Sequence, residues 1–377
     1  MSRTLVVTND FPTRRGGIES FIYALCNRLD PDEVVVYTAS MPGSPEFDAR
    51  LAYRVIRDRS SIILPTRAVA SRTAAVLRAE GCTSVLFGAA APLGLLAPRL
   101  RDAGANRVVG MTHGHETWWA RVPVVQGALQ RIGDNCDVLT YVSEFCRRRI
   151  GRGLSDEALR RMVRLAPGVD VDVFRPDSGG LRMRAQWDIA PERPVLLSVS
   201  RLIARKGQDM LIQAMPQILA AVPEALLVLV GEGPYRRHLE RLTRRHGVEH
   251  SVLFAGAVPW SEAPDWFDCA DVFAMPCRTR MGGLEPEALG IVFLESQACG
   301  KPVLVGDSGG APETVRHGDT GYVVDPRDPE AIAERAISLL ADREIARDLG
   351  MKGREWVERE WTWETSLKTL RSLVDGP

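Results

Sequence analysis

The sequence predicts an α/β chain of two doubly wound, Rossmann-like domains facing a central cleft. Three observations lead there. Short apolar runs alternate with amphipathic stretches from end to end. That rhythm breaks once, in a segment rich in Pro, Gly and Asp, and then restarts. The length, 377 residues, fits two domains at roughly 150 residues each. Runs of four to six apolar residues read as parallel strands buried on both faces, and the amphipathic segments read as helices covering them.

Taken in order, strands are expected at 5–8, 34–38, 84–87, 107–111 and 138–142, with helical patterns such as 19–29 and 69–80 between them. Residues 165–180, Leu-Ala-Pro-Gly-Val-Asp-Val-Asp-Val-Phe-Arg-Pro-Asp-Ser-Gly-Gly, read as the interdomain linker. The second series has strands at 194–200, 225–230, 252–254, 272–275, 302–305 and 321–324, and a helix at 208–221. Helices at 330–340, 344–358 and 361–373 end the chain. The domains are therefore expected at 1–170, with a C-terminal helix of about 361–377 packing back on it, and at 171–360. Such sheets bind ligands beyond the C-terminal ends of their strands.

Composition narrows the classes. Hydrophobic residues are 45% and charged residues 25%, a globular balance that argues against disorder. A formal net charge of zero disfavours a nucleic-acid binder. The charge is unevenly spread: residues 1–170 carry 23 Arg, no Lys and 17 acids, a net of +6, so the remainder carries −6. Arg54/Arg57/Arg59, Arg67/Arg72/Arg78 and Arg147–Arg149 cluster in this half. They read either as solvated helix faces or as an attraction to an anionic membrane surface. Seven scattered cysteines without a CxxC pair read as small core residues in a reducing compartment. No basic-then-apolar leader opens the sequence, and the longest apolar run, 85–98, is too short to span a bilayer. A cytoplasmic location is expected.

Four motifs carry chemistry. Gly16-Gly17 lies in a strand-to-helix loop where bare backbone amides can approach an anion; a plain turn reads as well. There is no GxGxxG and no GxxxxGK[ST], which argues against a nicotinamide oxidoreductase and a Walker nucleotidase. Second, Arg201 and Lys206 stand five residues apart around the loop after a strand, placed to clamp both phosphates of a diphosphate. Lysine occurs only four times, so its use at 206 invites a chemical reason. Third, Glu287 and Glu295 flank Gly290-Ile291-Val292. A helix starting near Gly290 would aim those amides at a phosphate. Glu287 on one side and Glu295 on the other could accept hydroxyl hydrogen bonds, one for a sugar and one for a ribose. Fourth, His113-Gly114-His115-Glu116 follows a strand and precedes Trp118-Trp119. Two of the six histidines at a cleft edge suit proton handling or a sugar hydroxyl, and the tryptophans read as a sugar platform, an interface or core. No third ligand for a metal accompanies the histidines.

These residues resemble glycosyltransferase family 4, retaining enzymes of the GT-B fold, over essentially the whole chain. The resemblance rests on GGI at 16–18, SRLxxxKGQD at 200–209, GEGP at 231–234, and E-x7-E followed by ACGKPV at 298–303. Within the family, NDFPxRRGGI, FGAAAPL, THGHE and ALGIVFLE are similar to the actinobacterial phosphatidylinositol monomannoside mannosyltransferases. The resemblance implies transfer of mannose from GDP-mannose to a mannosylated phosphatidylinositol, with no metal cofactor and no obligate protein partner. It implies an enzyme peripheral on the inner face of the plasma membrane. It assigns Arg201 and Lys206 to the donor diphosphate, Glu287 to the transferred hexose and Glu295 to the ribose. It sets Gly16 and Gly17 against donor phosphate or acceptor, His115 beside the reacting sugar, and backbone near Val258 against the nucleobase. The alternatives are another nucleotide-sugar, such as UDP-GlcNAc, with a soluble acceptor, and a non-catalytic binding protein that keeps the fold.

Overall fold

The computed structural model describes residues 3–14 and 16–376. The chain divides into two compact units, residues 1–167 with 364–377, and residues 168–363.

The first unit is built on seven strands: β1 (Thr4–Thr8), β2 (Val34–Ala39), β3 (Arg54–Asp58), β4 (Ser84–Phe87), β5 (Arg107–Met111), β6 (Val138–Tyr141) and β7 (Val163–Arg164). They form one parallel sheet in the order β3-β2-β1-β4-β5-β6-β7. Every residue of β1, β2 and β4 is buried, which is why these strands read as unbroken apolar runs rather than as alternating ones. The helix Trp363–Asp375 completes this unit. It buries Leu370, Leu373 and Val374, and its last carbonyls accept from Ser84 Oγ (2.7 Å, at Val374) and Arg107 Nε (2.8 Å, at Leu373).

The second unit has six strands: β8 (Val195–Val199), β9 (Leu226–Val230), β10 (Val252–Gly256), β11 (Val272–Met275), β12 (Val303–Gly306) and β13 (Gly321–Val324). Their order is β10-β9-β8-β11-β12-β13, again parallel. The core on one face joins Leu196, Leu227, Leu229 and Leu304 to Ile212, Met215 and Ile218 of the helix Gln208–Ala221 and to Ala333 and Ala336 of Pro329–Ala341. The order in which strands are laid down reverses once in each sheet, between β1 and β4 and between β8 and β11. Loops leaving those strands diverge, and the crevice between them is where such sheets take ligands.

Two expectations need correction. Strands β3 and β7 carry no apolar run and were not legible. β3 holds Arg54 and Arg57, and its central residues are only half-buried. The basic clusters around it are also partly neutralised: Arg54 pairs with Glu80 at 2.9 Å, Arg57 with Asp48 at 2.7 Å and Arg72 with Asp58 at 2.7 Å, while Arg59 and Arg67 are exposed. The segment 165–180, read as the interdomain linker, contains the boundary between the units at 167/168 and packs through its apolar residues. Leu165, Val169 and Phe174 are buried, and Val169 N donates to Trp361 O at 2.7 Å. The bound conformation comes from the apolar residues between the Pro and Asp punctuation.

Candidate active site

In the second unit the functional side chains gather beyond β8 and β11. After β8 the chain runs extended through Arg201, makes a short 3-10 turn at Ala204–Lys206, and enters the helix Gln208–Ala221 through Gly207. Gly207 has φ 80°, and a Cβ there would lie 2.0 Å from Pro276 O. Only glycine lets the β8 loop lie this close to the β11 loop. Across that contact, Glu287 Oε2 accepts from Arg205 Nη1 at 2.6 Å and from Lys206 Nζ at 2.7 Å. Glu287 is buried. Burial pushes its carboxyl up, but Lys206 and then Arg205 outweigh burial and hold it below the usual carboxylate range.

The backbone around Glu287 is tied as well. Its N–H donates to Ser308 Oγ at 3.3 Å, and its carbonyl accepts from Gly310 N at 2.8 Å. Ser308 and Thr279 hydroxyls bond at 2.9 Å. Arg278 Nη2 donates to Asp209 Oδ2 at 2.7 Å, where Tyr235 OH also donates at 3.2 Å, and Arg278 N donates to Arg205 O at 2.8 Å. Both side chains of the Arg278–Asp209 pair are largely buried.

Gly290, at φ 91°, opens the helix Ile291–Ala298. The Ile291 and Val292 amides have no intrahelical acceptor, as at any helix start. Glu295 lies one turn further, half-buried, its carboxylate with no hydrogen-bond partner among the described residues, and burial alone pushes that carboxyl up to about 7. An unpartnered carboxylate this basic is a ready acceptor for hydroxyl groups. Arg201 is exposed, and its guanidinium has no partner among the described residues. Val258 sits in the loop past β10, half-buried; Gly231 N donates to Gly256 O at 2.7 Å, tying that loop to the one after β9.

The first unit places the remaining candidates. Gly16 and Gly17 are exposed at the start of the helix Gly17–Cys26. The Glu19 carboxylate crosses Gly16 so closely that a Cβ there would lie 2.4 Å from Oε2. After β5, the two histidines separate in character. His113 is buried, its Nε2 is 2.6 Å from Gly88 O, and its ring packs edge-on to Phe21. Burial pushes its pKa down, so it stays neutral and donates to that carbonyl. His115 is more than a third exposed, with Nε2 3.4 Å from Glu116 Oε1. Glu116 is fully buried; its Oε2 accepts from the His113 and Gly114 amides, both at 3.1 Å, and so fixes the loop that presents His115. Trp118 and Trp119 pack on each other at 5.5 Å, with Trp118 exposed. Among the described residues no group of three or more His, Cys, Asp or Glu is placed to hold a metal ion.

Sequence reasoning paired Lys206 with Arg201 and passed over Arg205, Arg278–Asp209 and Glu116. Arg205 carried one signal, its position next to Lys206. Glu116 stood in the His-Gly-His-Glu motif, but its role in holding the loop was not readable, because an acid inside a loop looks alike whether buried or solvated.

Two family models match the chain, Glycosyltransferase Family 4 over residues 15–173 and Glycosyl transferases group 1 over residues 181–356. The chain is 46% identical over 377 residues to the GDP-mannose-dependent alpha-(1-6)-phosphatidylinositol monomannoside mannosyltransferase of Mycolicibacterium smegmatis, covering 99% of this chain and 98% of that one. It is 42% identical to the GDP-mannose-dependent monoacylated alpha-(1-6)-phosphatidylinositol monomannoside mannosyltransferase of Corynebacterium glutamicum, covering 99% and 98%. In fold it is similar to Anabaena HepE, crystallised with UDP, at a TM-score of 0.83, 18% identity and 99% coverage of both chains. With its two Rossmann-like parallel-sheet domains of the GT-B class, this chain belongs to glycosyltransferase family 4.

Proposed function

We propose that this protein is a retaining, GDP-mannose-dependent mannosyltransferase whose acceptor is a mannosylated phosphatidylinositol. The observation that carries the reading is the convergence of Lys206 and Glu287, with the start of the Ile291–Ala298 helix next in the chain, at the point where the second sheet reverses. Cations and free amides on one side, with carboxylates at Glu287 and Glu295, suit a nucleotide diphosphate-sugar. The names of the M. smegmatis and C. glutamicum relatives support mannose, guanosine and the phosphatidylinositol mannoside acceptor.

In this reading the bond between the anomeric carbon and the β-phosphate oxygen breaks as the bond to the acceptor oxygen forms on the same face. The acceptor hydroxyl proton passes to the departing phosphate. Negative charge grows on that phosphate, and Lys206, Arg201 and the Ile291 and Val292 amides stabilise it. These groups supply the charge a metal cofactor otherwise would, so no metal is required. Glu287 accepts from hexose hydroxyls and stabilises positive character on the ring, Glu295 accepts from the ribose, and backbone near Val258 meets the base. His115 is the first unit's candidate for a substrate hydrogen bond, and Gly16-Gly17 its candidate phosphate contact once Glu19 turns aside.

No described helix is long and apolar enough to cross a membrane. We assign membrane contact to the segment after β3. Ile62 and Leu64 are each 54% exposed there, flanked by exposed Arg59 and Arg67. Asn9 grips Ile63 between them at 2.7 and 2.9 Å, and Arg14 donates to Ser61 O at 3.1 Å. Exposed aliphatic groups beside arginines suit an anionic bilayer surface.

The test is incubation of the protein with GDP-mannose or UDP-GlcNAc and mannosylated phosphatidylinositol. GDP release with a dimannosylated lipid product is expected. Release of UDP alone, or transfer only to soluble acceptors, would replace the reading with the alternative.

A further inference from the structure

Arg205 stands next to Lys206 in the chain, and both reach the same oxygen. Glu287 Oε2 takes two charge-assisted hydrogen bonds, at 2.6 and 2.7 Å, while Oε1 receives none among the described residues. Among the described residues, the ion pairs of this carboxylate are with these two cations. The nearby Cys277 thiol is pushed up by burial and stays neutral, and the β12 loop offers the Ser308 hydroxyl and backbone.

On the reading given above, Lys206 has an anion to hold. A diphosphate drawn to Lys206 brings negative charge close to Glu287, and like charges within about 4–6 Å push a carboxylate towards its protonated form. A protonated Glu287 would lose acceptor strength when the hexose needs it. One cation shared between phosphate and carboxylate does not prevent this; a second one does. Arg205 is suited to that task. Its guanidinium carries a planar fork of donors suited to a carboxylate. Its backbone is clamped from the facing loop, where Arg278 N holds its carbonyl and Asp209 holds the Arg278 side chain.

We propose that Arg205 is a positioning residue that keeps Glu287 ionised, with Oε1 available to the hexose, while Lys206 holds the donor diphosphate. The proposal rests on the donor-site reading. It makes Arg205 act through Glu287 and not on the phosphates.

The experiment compares wild type, Arg205→Ala, Arg205→Lys and Lys206→Ala. It measures GDP affinity by calorimetry and the pH profile of kcat with GDP-mannose and mannosylated phosphatidylinositol. Arg205→Ala should lower kcat at least about tenfold and move the acidic limb of the profile up by about one pH unit. GDP affinity should stay within about threefold of wild type, whereas Lys206→Ala should weaken it more than tenfold. Arg205→Lys should restore most of kcat and return the limb towards wild type. An unmoved acidic limb in Arg205→Ala would overturn the proposal. So would a loss of GDP affinity equal to that of Lys206→Ala, since Arg205 would then be a phosphate ligand. Should Arg205→Ala fail to fold, Arg205→Gln carries the same expectations. Failure of the donor-site reading shows separately, as a wild type that binds no GDP.

Discussion

Lys206 Nζ donates to Glu287 Oε2 across 2.7 Å and so joins the loop after β8 to the loop after β11. The Lys206 side chain is 12% exposed, so its charge acts in a weakly screened setting. Lys206→Ala should lower kcat/KM by about 100-fold or more, on the order of 3 kcal/mol of transition-state stabilisation. Steady-state kinetics with varied GDP-mannose checks this, and near-wild-type kcat/KM would remove Lys206 from the site.

Arg278 and Asp209 form the second tie between those loops. Both are largely buried, so removing one partner strands the other. Asp209→Asn should lower stability by about 3 kcal/mol, seen as a lower urea midpoint. The double variant Arg278→Met/Asp209→Asn should recover part of that loss, because neither charge is then left alone.

Glu295 should leave a pH signature on stability. Its carboxyl is raised to about 7 in the fold, so the folded state holds a proton that the unfolded chain has given up above about 4.5. Stability from this group is complete below about 4.5 and is lost as pH rises through about 7. Allowing for its partial exposure, the loss is about 2 kcal/mol. Glu295→Gln should flatten the fall in unfolding free energy between pH 5 and 8; an unchanged slope would assign it to other groups.

The two histidines after β5 should give opposite phenotypes. His113→Ala removes a buried hydrogen bond and the contact with Phe21, and should cost about 2–3 kcal/mol of stability. His115→Ala should leave the melting temperature within about 1 °C and lower kcat instead. Thermal denaturation alongside activity assays separates them. A stable His113→Ala or an active His115→Ala would reverse the assignment.

The central strands were legible because a strand buried on both faces has only one vocabulary. Val34–Ala39 and Leu226–Val230 are apolar or nearly so at every position. The same logic failed at β3, an edge strand whose pairing to β2 is made by backbone while Arg54 and Arg57 face acids. In the site, Lys206 announced itself by rarity, and Glu287 and Gly290 by their spacing around an expected helix start. Arg205 did not, because arginine is common throughout the chain and its partner lies 82 residues away. Which cation a carboxylate chooses depends on how two loops meet, and that is settled by Gly207 passing under Pro276.

The first unit is discontinuous: Ser84 of β4 and Arg107 of β5 are bonded to the last turn of the helix Trp363–Asp375. During synthesis this half therefore leaves the ribosome unfinished. The ends of β4 and β5 stay uncovered until the helix Trp363–Asp375 has been made. A nascent chain stalled before the helix Trp363–Asp375 exposes Leu86, which lines one cavity with Leu370 and Val374, to chaperones, and loss of that helix should injure the N-terminal half first.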